Sequence, residues 1–160
     1  MHDIAKTKQN NHADKATCTP FSLPLVSVIV VNYNYGRFLK QVVDSIFEQT
    51  YPNIECIVVD NASTDESADV LQDIAKENPG AKILRRNDNG GQSLASKEGF
   101  EVSTGEYVVF LDADDYLLAS FVETHVFVHL SLRVPVGFSS SDMIQAVDSR
   151  MVTGTARLPI

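Results

Sequence analysis

The 160-residue chain has no tryptophan, only two cysteines, and no apolar run near the ~20 residues that a membrane-spanning helix requires. No zinc-type cysteine spacing occurs, and a disulfide is not expected, because Cys18 lies in a polar segment and Cys56 inside an apolar, strand-like run. Cys56 therefore reads as a small buried hydrophobe. Basic residues are also scarce. Thirteen Lys and Arg face 21 Asp and Glu, a net charge of -8, and no basic stripe is present to follow a phosphate backbone, which argues against a nucleic-acid partner. Met1 to Thr19 is polar throughout and lacks the apolar core of a secretory signal, so a cytoplasmic location is the default expectation.

What the chain does have is a hydrophobic share of 44% with 21% charged residues, enough apolar material for one domain with a real core. Its organisation is expected to be a polar tail over residues 1–24, one α/β domain over 25–150 and a short C-terminal tail over 151–160. The run Leu25 to Val31, LVSVIVV, is β-branched and almost continuously apolar, as a strand buried on both faces of a parallel sheet must be. Phe38, Leu39, Val42, Val43, Ile46 and Phe47 then recur at helical spacing over 37–49. Further strands are predicted at 54–59, 81–84 and 106–111, with helices at about 66–76 and 92–103 between them. This alternation is the order of a doubly wound, mostly parallel sheet between helices. Beyond Tyr116 a helix over 117–130, short strands at 134–138 and 143–147, and a frayed end from Thr153 are expected.

In such sheets ligands bind outside the carboxyl ends of the strands. The polar loops 32–36, 60–65, 85–91 and 112–116 all follow strands and would share that edge. The last of them, Leu111-Asp112-Ala113-Asp114-Asp115-Tyr116, sets three carboxylates within four residues. Their mutual repulsion favours a neutralising cation, and a hard divalent ion that keeps positions for phosphate oxygens suits the chemistry. A calcium loop is excluded, because Tyr116 and Leu117 fall where an oxygen ligand and a glycine are required. No GxGxxG follows the first strand and no P-loop is present, so any phosphate must be handled differently. At this level Asn32 and Asn34 can also be turn residues, Asp60 and Asp65 helix caps, Tyr33 and Tyr35 rim aromatics, and the acidic loop a solvated turn.

The segments VSVIVVNYN, CIVVDNASTD, NGGQSLASKEGF and TGEYVVFLDADD, in this order and at these loops, resemble the family 2 glycosyltransferases with a GT-A fold. The resemblance covers about residues 25 to 116. It implies a GT-A-like α/β/α sandwich that binds a nucleotide-diphosphate sugar with Mn2+ or Mg2+ and transfers the sugar to an acceptor hydroxyl with inversion, a step of polysaccharide biosynthesis. Asn32, Tyr33 and Asn34 would cradle the base, with Tyr33 suited to stack on it. Asp60 would accept a hydrogen bond from a ring N-H, which favours uracil and hence a UDP-sugar. Gly91, Lys97 and Ala113 would line the donor site. Asp112 and Asp114 would be the ends of the D-x-D motif, Asp112 near the ribose and metal and Asp114 on the metal. Lys97 departs from the family, where an Asn is usual.

The family's catalytic base lies well downstream of the D-x-D motif, but only 45 residues follow Asp115 here, and Glu123, Asp142 and Asp148 are the downstream acids. None sits in a base motif. The expectation is that the acceptor-binding half is missing or abbreviated and the base is unassigned. A donor-binding fragment or non-catalytic nucleotide-binding protein is thus the alternative, with a Mg2+-dependent phosphoacceptor domain a third. The third wants a Lys at the end of a late strand, and Val136 to Ser139 offers none. His125 and His129, four apart, could in principle ligate metal but are assigned to packing or surface. The acceptor, glycan or lipid-linked, is not encoded in recognisable form, and self-association through an uncovered apolar face is possible in principle.

Overall fold

The structure, a computed structural model, describes residues 22–134 and 137–140 and the strands 144–147 and 150–153. Its central strand is β1 (Val26–Asn32), with Val28, Ile29 and Val30 fully buried. An almost unbroken apolar strand is stable only with helices on both faces, and the layers follow from that. β1 leads into α1 (Gly36–Phe47), then β2 (Ile54–Asp60), α2 (Ser67–Glu77), β3 (Lys82–Arg85), α3 (Gln92–Val102) and β4 (Tyr107–Asp112). All pairings are parallel and the order is β3-β2-β1-β4. On one face, Val28 and Val30 pack with Leu39, Val43 and Ile46 of α1 and Leu71 and Ile74 of α2. On the other, Ile29, Ile57 and Val59 meet Ala95 of α3.

α3 lies close to the sheet because Gly99 has no side chain. A methyl there would sit 2.5 Å from Ile29 Cγ2 and 3.1 Å from Val59 Cγ2, both on buried central strands that cannot retreat. Gly99→Ala should therefore destabilise the fold by about 2 kcal/mol through overpacking. A urea-denaturation midpoint equal to that of the parent chain would show that α3 is not seated this tightly.

The amino-terminal edge of the sheet is held by one carboxylate. Glu55 accepts hydrogen bonds from Lys82 Nζ at 2.6 Å, from Ser27 Oγ, and from the Thr104 backbone and hydroxyl, while Ser27 Oγ also accepts from Gly105 N at 2.8 Å. Burial alone would raise the Glu55 pKa, but these donors outweigh it and hold the carboxyl at about 2, against an ordinary 4.5. A depressed folded-state pKa contributes stability that is complete above the unfolded value and is lost as the pH falls through the folded value. Acid unfolding of the parent chain should accordingly steepen between pH about 4.5 and about 2. Glu55→Gln should flatten that part of the stability profile; an unchanged slope would rule the contribution out.

Beyond the acidic loop, the helix α4 starts later than the pattern suggests, at Phe121, and runs to Ser131. Leu117 is buried but lies in the loop before it. α4 is apolar on all sides, so its sequence gives no clean stripe; Val122 and Val126 face the core, while Phe127 and Leu130 are exposed. The expected strand at 134–138 is not formed at Val134, Gly137 or Phe138, its remaining residues lying outside the described ones. A hairpin of β5 (Ile144–Val147) and β6 (Arg150–Thr153) follows, so Thr153 belongs to a strand rather than to a frayed end. Pro24 is buried and its carbonyl accepts the Tyr51 hydroxyl at 2.6 Å, which brings the start of the packed chain slightly before Leu25. Residues 1–21 and 154–160, most of both expected tails, lie outside the described residues.

Candidate functional site

Parallel register aligns the strand ends. Asn32 is opposite Asp60, Asp60 opposite Arg85, and Val31 opposite Asp112. Paired residues point to the same face, so Asp60 rises on the side of α1 and α2 and Asp112 on the side of α3, with the end of β1 between them. Two strand spacings separate the two carboxylates' backbones by roughly 10 Å.

The first two loops are joined by side chains. Asn32, wholly buried, donates through Nδ2 to Asp60 Oδ1 at 2.9 Å, Ser63 Oγ at 3.0 Å and Ser67 Oγ at 2.9 Å, and its Oδ1 accepts from Tyr35 N at 3.3 Å. It is thus a support beneath the site, with both polar ends engaged. Asn34 adopts φ 61°, and its Oδ1 accepts from Thr64 N at 2.8 Å while its own N donates to Ser63 Oγ at 2.9 Å. An Asn tolerates this left-handed backbone better than most residues, which explains the residue type at that turn. Ala62 is left-handed as well, φ 64°, without that compensation, so strain is concentrated at the loop tip. Asp65 accepts from Gly36 N at 2.9 Å and Ser67 N at 3.0 Å, closing the starts of α1 and α2 with one carboxylate. Although burial pushes its pKa up, the bonds from Ser67 and Gly36 prevail and lower it.

Tyr33 and Tyr35 stand beside this joint, each about two-fifths exposed. Asp60 itself is almost fully buried. Its Oδ1 is taken by Asn32 and Ser63, whereas among the described residues Oδ2 has only the Arg85 Nε at 3.9 Å. One carboxylate oxygen is therefore fixed and the other remains able to accept.

Sequence reasoning missed two side chains that complete the edge. Asn61, buried, donates to Asn89 Oδ1 at 2.8 Å and accepts from Gly90 N at 3.2 Å, tying the second loop to the third. Gly91, the residue before α3, has φ 83° and donates to Asn89 Oδ1 at 2.9 Å. Gln92, the first residue of α3, reaches Asp112 Oδ1 at 2.5 Å. Two basic groups near this edge are engaged by acidic partners. Arg86 is buried and engaged by Glu98 and the Asp88 carbonyl, and Lys97 pairs with Glu101 at 3.4 Å. Lys97 lines an open groove of about 630 Å³ with Gln92, Ser93, Ser96, Phe100 and Phe110, beside Asp112 but on the opposite sheet face from Asp60.

In the acidic loop Ala113 is buried and anchors the turn, while Asp112, Asp114 and Asp115 are exposed. Burial and then the charges of Asp114 and Asp112 raise the Asp115 pKa. Among the described residues no three His, Cys, Asp or Glu side chains converge on one point. At most one or two carboxylates of this loop could therefore serve one cation, and carboxylate oxygens are ligands of the kind hard divalent ions take. Of the downstream acids, Glu123 is exposed and accepts from Thr50 Oγ1 at 2.8 Å; Asp142 and Asp148 lie outside the described residues. Cys56 is fully buried in β2 and burial pushes its thiol up to about 12, as a packing role requires.

The parallel sheet between helices, with acidic and polar loops gathered at one edge, defines a GT-A-like α/β/α protein. The family model described as glycosyl transferase family 2 matches residues 27–132, and the chain belongs to that family. The glycosyltransferase GlyG of Streptococcus pneumoniae serotype 4 is 37% identical over 100 residues, covering 62% of this chain and 33% of the relative. Among solved structures, the mannosyltransferase PcManGT of Pyrobaculum calidifontis, in complex with GDP-Man and Mn2+, aligns with TM-score 0.58 and 34% identity over 62% of this chain and 30% of that one. S. aureus TarS 1-349 in complex with UDP aligns with TM-score 0.59 and 25% identity, covering 66% of this chain and 33% of that one. The chain thus spans about a third of the length of these proteins. No helix among its described residues is long and apolar enough to cross a membrane.

Proposed function

We propose that this edge is the donor site of an inverting glycosyltransferase, taking a nucleoside-diphosphate sugar together with Mn2+ or Mg2+. The observation that carries the reading is Asp60: Oδ1 is fixed by Asn32 and Ser63, which leaves Oδ2 to accept a ring N-H of the base. Tyr33 and Asn34 form the rim over which the base would lie, Asn32 supports Asp60 from below, and Asp112 and Asp114 face the diphosphate. Uracil and guanine both present a ring N-H, and UDP-sugars are the donors we favour. Gly91 and Ala113 shape the backbone around the donor, and Lys97 flanks its α3 side.

Asp114, with Asp112, would hold the divalent ion, which when bound supplies Lewis-acid stabilisation of the departing diphosphate. Gln92 orients Asp112 from α3. The Asn32, Ser63 and Asp65 network fixes the base-side loops before the donor arrives, so less ordering cost falls on binding. Transfer further requires a carboxylate that removes the proton of an acceptor hydroxyl, a glycan or lipid-linked one, and no described acid is placed to do so. Donor binding without transfer by this chain alone is therefore the second reading, favoured by its covering about a third of its relatives.

Calorimetric titration with UDP and with GDP, each with and without Mn2+, tests the site. UDP binding that strengthens with Mn2+ and drops at least ~10-fold in Asp60→Asn is expected, since an amide NH2 replaces half of the carboxylate's accepting capacity. Binding of neither nucleotide, or binding indifferent to Asp60, would refute the assignment. Release of free UDP from a UDP-sugar would separate catalysis from binding alone.

A further inference from the structure

On the far side of the acidic loop, α4 carries His125 and His129 one turn apart, and both turn to the same point in space. His125 Nδ1 lies 2.7 Å from Ser139 Oγ, and His129 Nε2 lies 3.0 Å from that same oxygen. A single hydroxyl has one proton, so it can donate to only one of the rings and must accept from the other. The rings are held by packing as well: Phe121 lies against His125 with centroids 4.4 Å apart and planes tilted by 40°, and Tyr107 of β4 against His129 at 5.1 Å and 56°.

We propose that His125 and His129 form a binding site for a borderline transition-metal ion such as Zn2+, with Ser139 Oγ or water completing the shell. Imidazole nitrogens of this kind select Zn2+ and Cu2+ over the hard ions suited to the acidic loop. Zinc-nitrogen bonds are about 2.0–2.1 Å, so an ion near the present position of Ser139 Oγ needs each ring to shift by roughly an ångström or less. Metal binding requires the neutral imidazole. The packed Phe121 and Tyr107 restrict both rings, reducing the ordering cost of coordination. With two histidines the site is of modest affinity, and its half-buried position leaves coordination places open for water. It is independent of the donor-site reading.

The test uses the full chain carrying His2→Gln, His12→Gln, Asp112→Asn and Asp114→Asn, which removes the other histidines and the acidic loop as competitors. Titration with ZnCl2 should reveal one bound ion, and adding either His125→Gln or His129→Gln should weaken it at least ~10-fold, no less than loss of an outer-shell partner does. Electron paramagnetic resonance of the same four-substitution chain loaded with Cu2+, with His125 and His129 intact, should show coupling to two imidazole nitrogens. Absence of Zn2+ binding, equal affinity in the variants, or coupling to fewer than two nitrogens would overturn the proposal.

Discussion

Replacing Asn32 with leucine should cost the fold about 3 kcal/mol, among the largest losses available at a single polar position in this chain. The side chain has no solvent exposure, and it is the donor shared by Asp60, Ser63 and Ser67. Leucine keeps the branched shape, but its larger methyl groups cannot approach oxygens at 2.9 Å, so crowding adds to the loss of a donor to Asp60 Oδ1, Ser63 Oγ and Ser67 Oγ. A buried carboxylate deprived of a donor is costlier than a neutral group, because its desolvation is no longer offset. The measurement is the urea-denaturation midpoint with the slope held constant. Asn32→Asp should also destabilise, by setting a second carboxylate against Asp60, whereas a loss below about 1 kcal/mol in the leucine variant would mean that the loops hold their shape without this joint.

That joint also marks where sequence reasoning succeeded and where it stopped. The α/β order was readable because strands buried on both faces must be apolar almost throughout, and β1, β2 and β4 differ from their expected bounds by one residue at most at each end. The gathering of the polar loops followed as well, since loops that succeed parallel strands share one edge. What the residue pattern did not disclose is which polar groups face a ligand and which face each other. Asn32 and Asn34 are two residues apart, yet one is wholly buried under Asp60 and the other is exposed at the tip. The difference is set by Ser63, Thr64 and Ser67, about thirty residues away, and local turn preference carries no such information. Asn61, Gln92 and the Ser139 hydroxyl escaped for the same reason, each acting on a partner brought near only by the fold. α4 was misplaced at its start because a helix apolar on every side has no stripe to locate it.

Asp114→Ala should remove the Mn2+-dependent part of nucleotide-diphosphate affinity, a loss of ~100-fold or more at saturating metal if the ion bridges carboxylate and diphosphate. The argument is one of charge. Asp112, Asp114 and Asp115 sit within one turn, with Gln92 the one side-chain donor to them among the described residues, and the Asp115 pKa is raised by burial and then by the charges of Asp114 and Asp112. Adding a diphosphate to such a loop without a cation would be strongly unfavourable, so the metal and the nucleotide should bind with positive coupling, and by linkage each should strengthen the other by the same factor. Asp114 is exposed and carries no structural hydrogen bond among those described, so its removal should leave the unfolding midpoint almost unchanged. Asp112→Ala should differ, since it also releases Gln92 at the start of α3. Titrating UDP into each variant at several Mn2+ concentrations separates the cases. A vanishing dependence on Mn2+ in Asp114→Ala, with metal-free affinity equal to or above that of the parent, is the expected result. Retention of the full Mn2+ effect would move the metal away from this loop and, with it, the diphosphate.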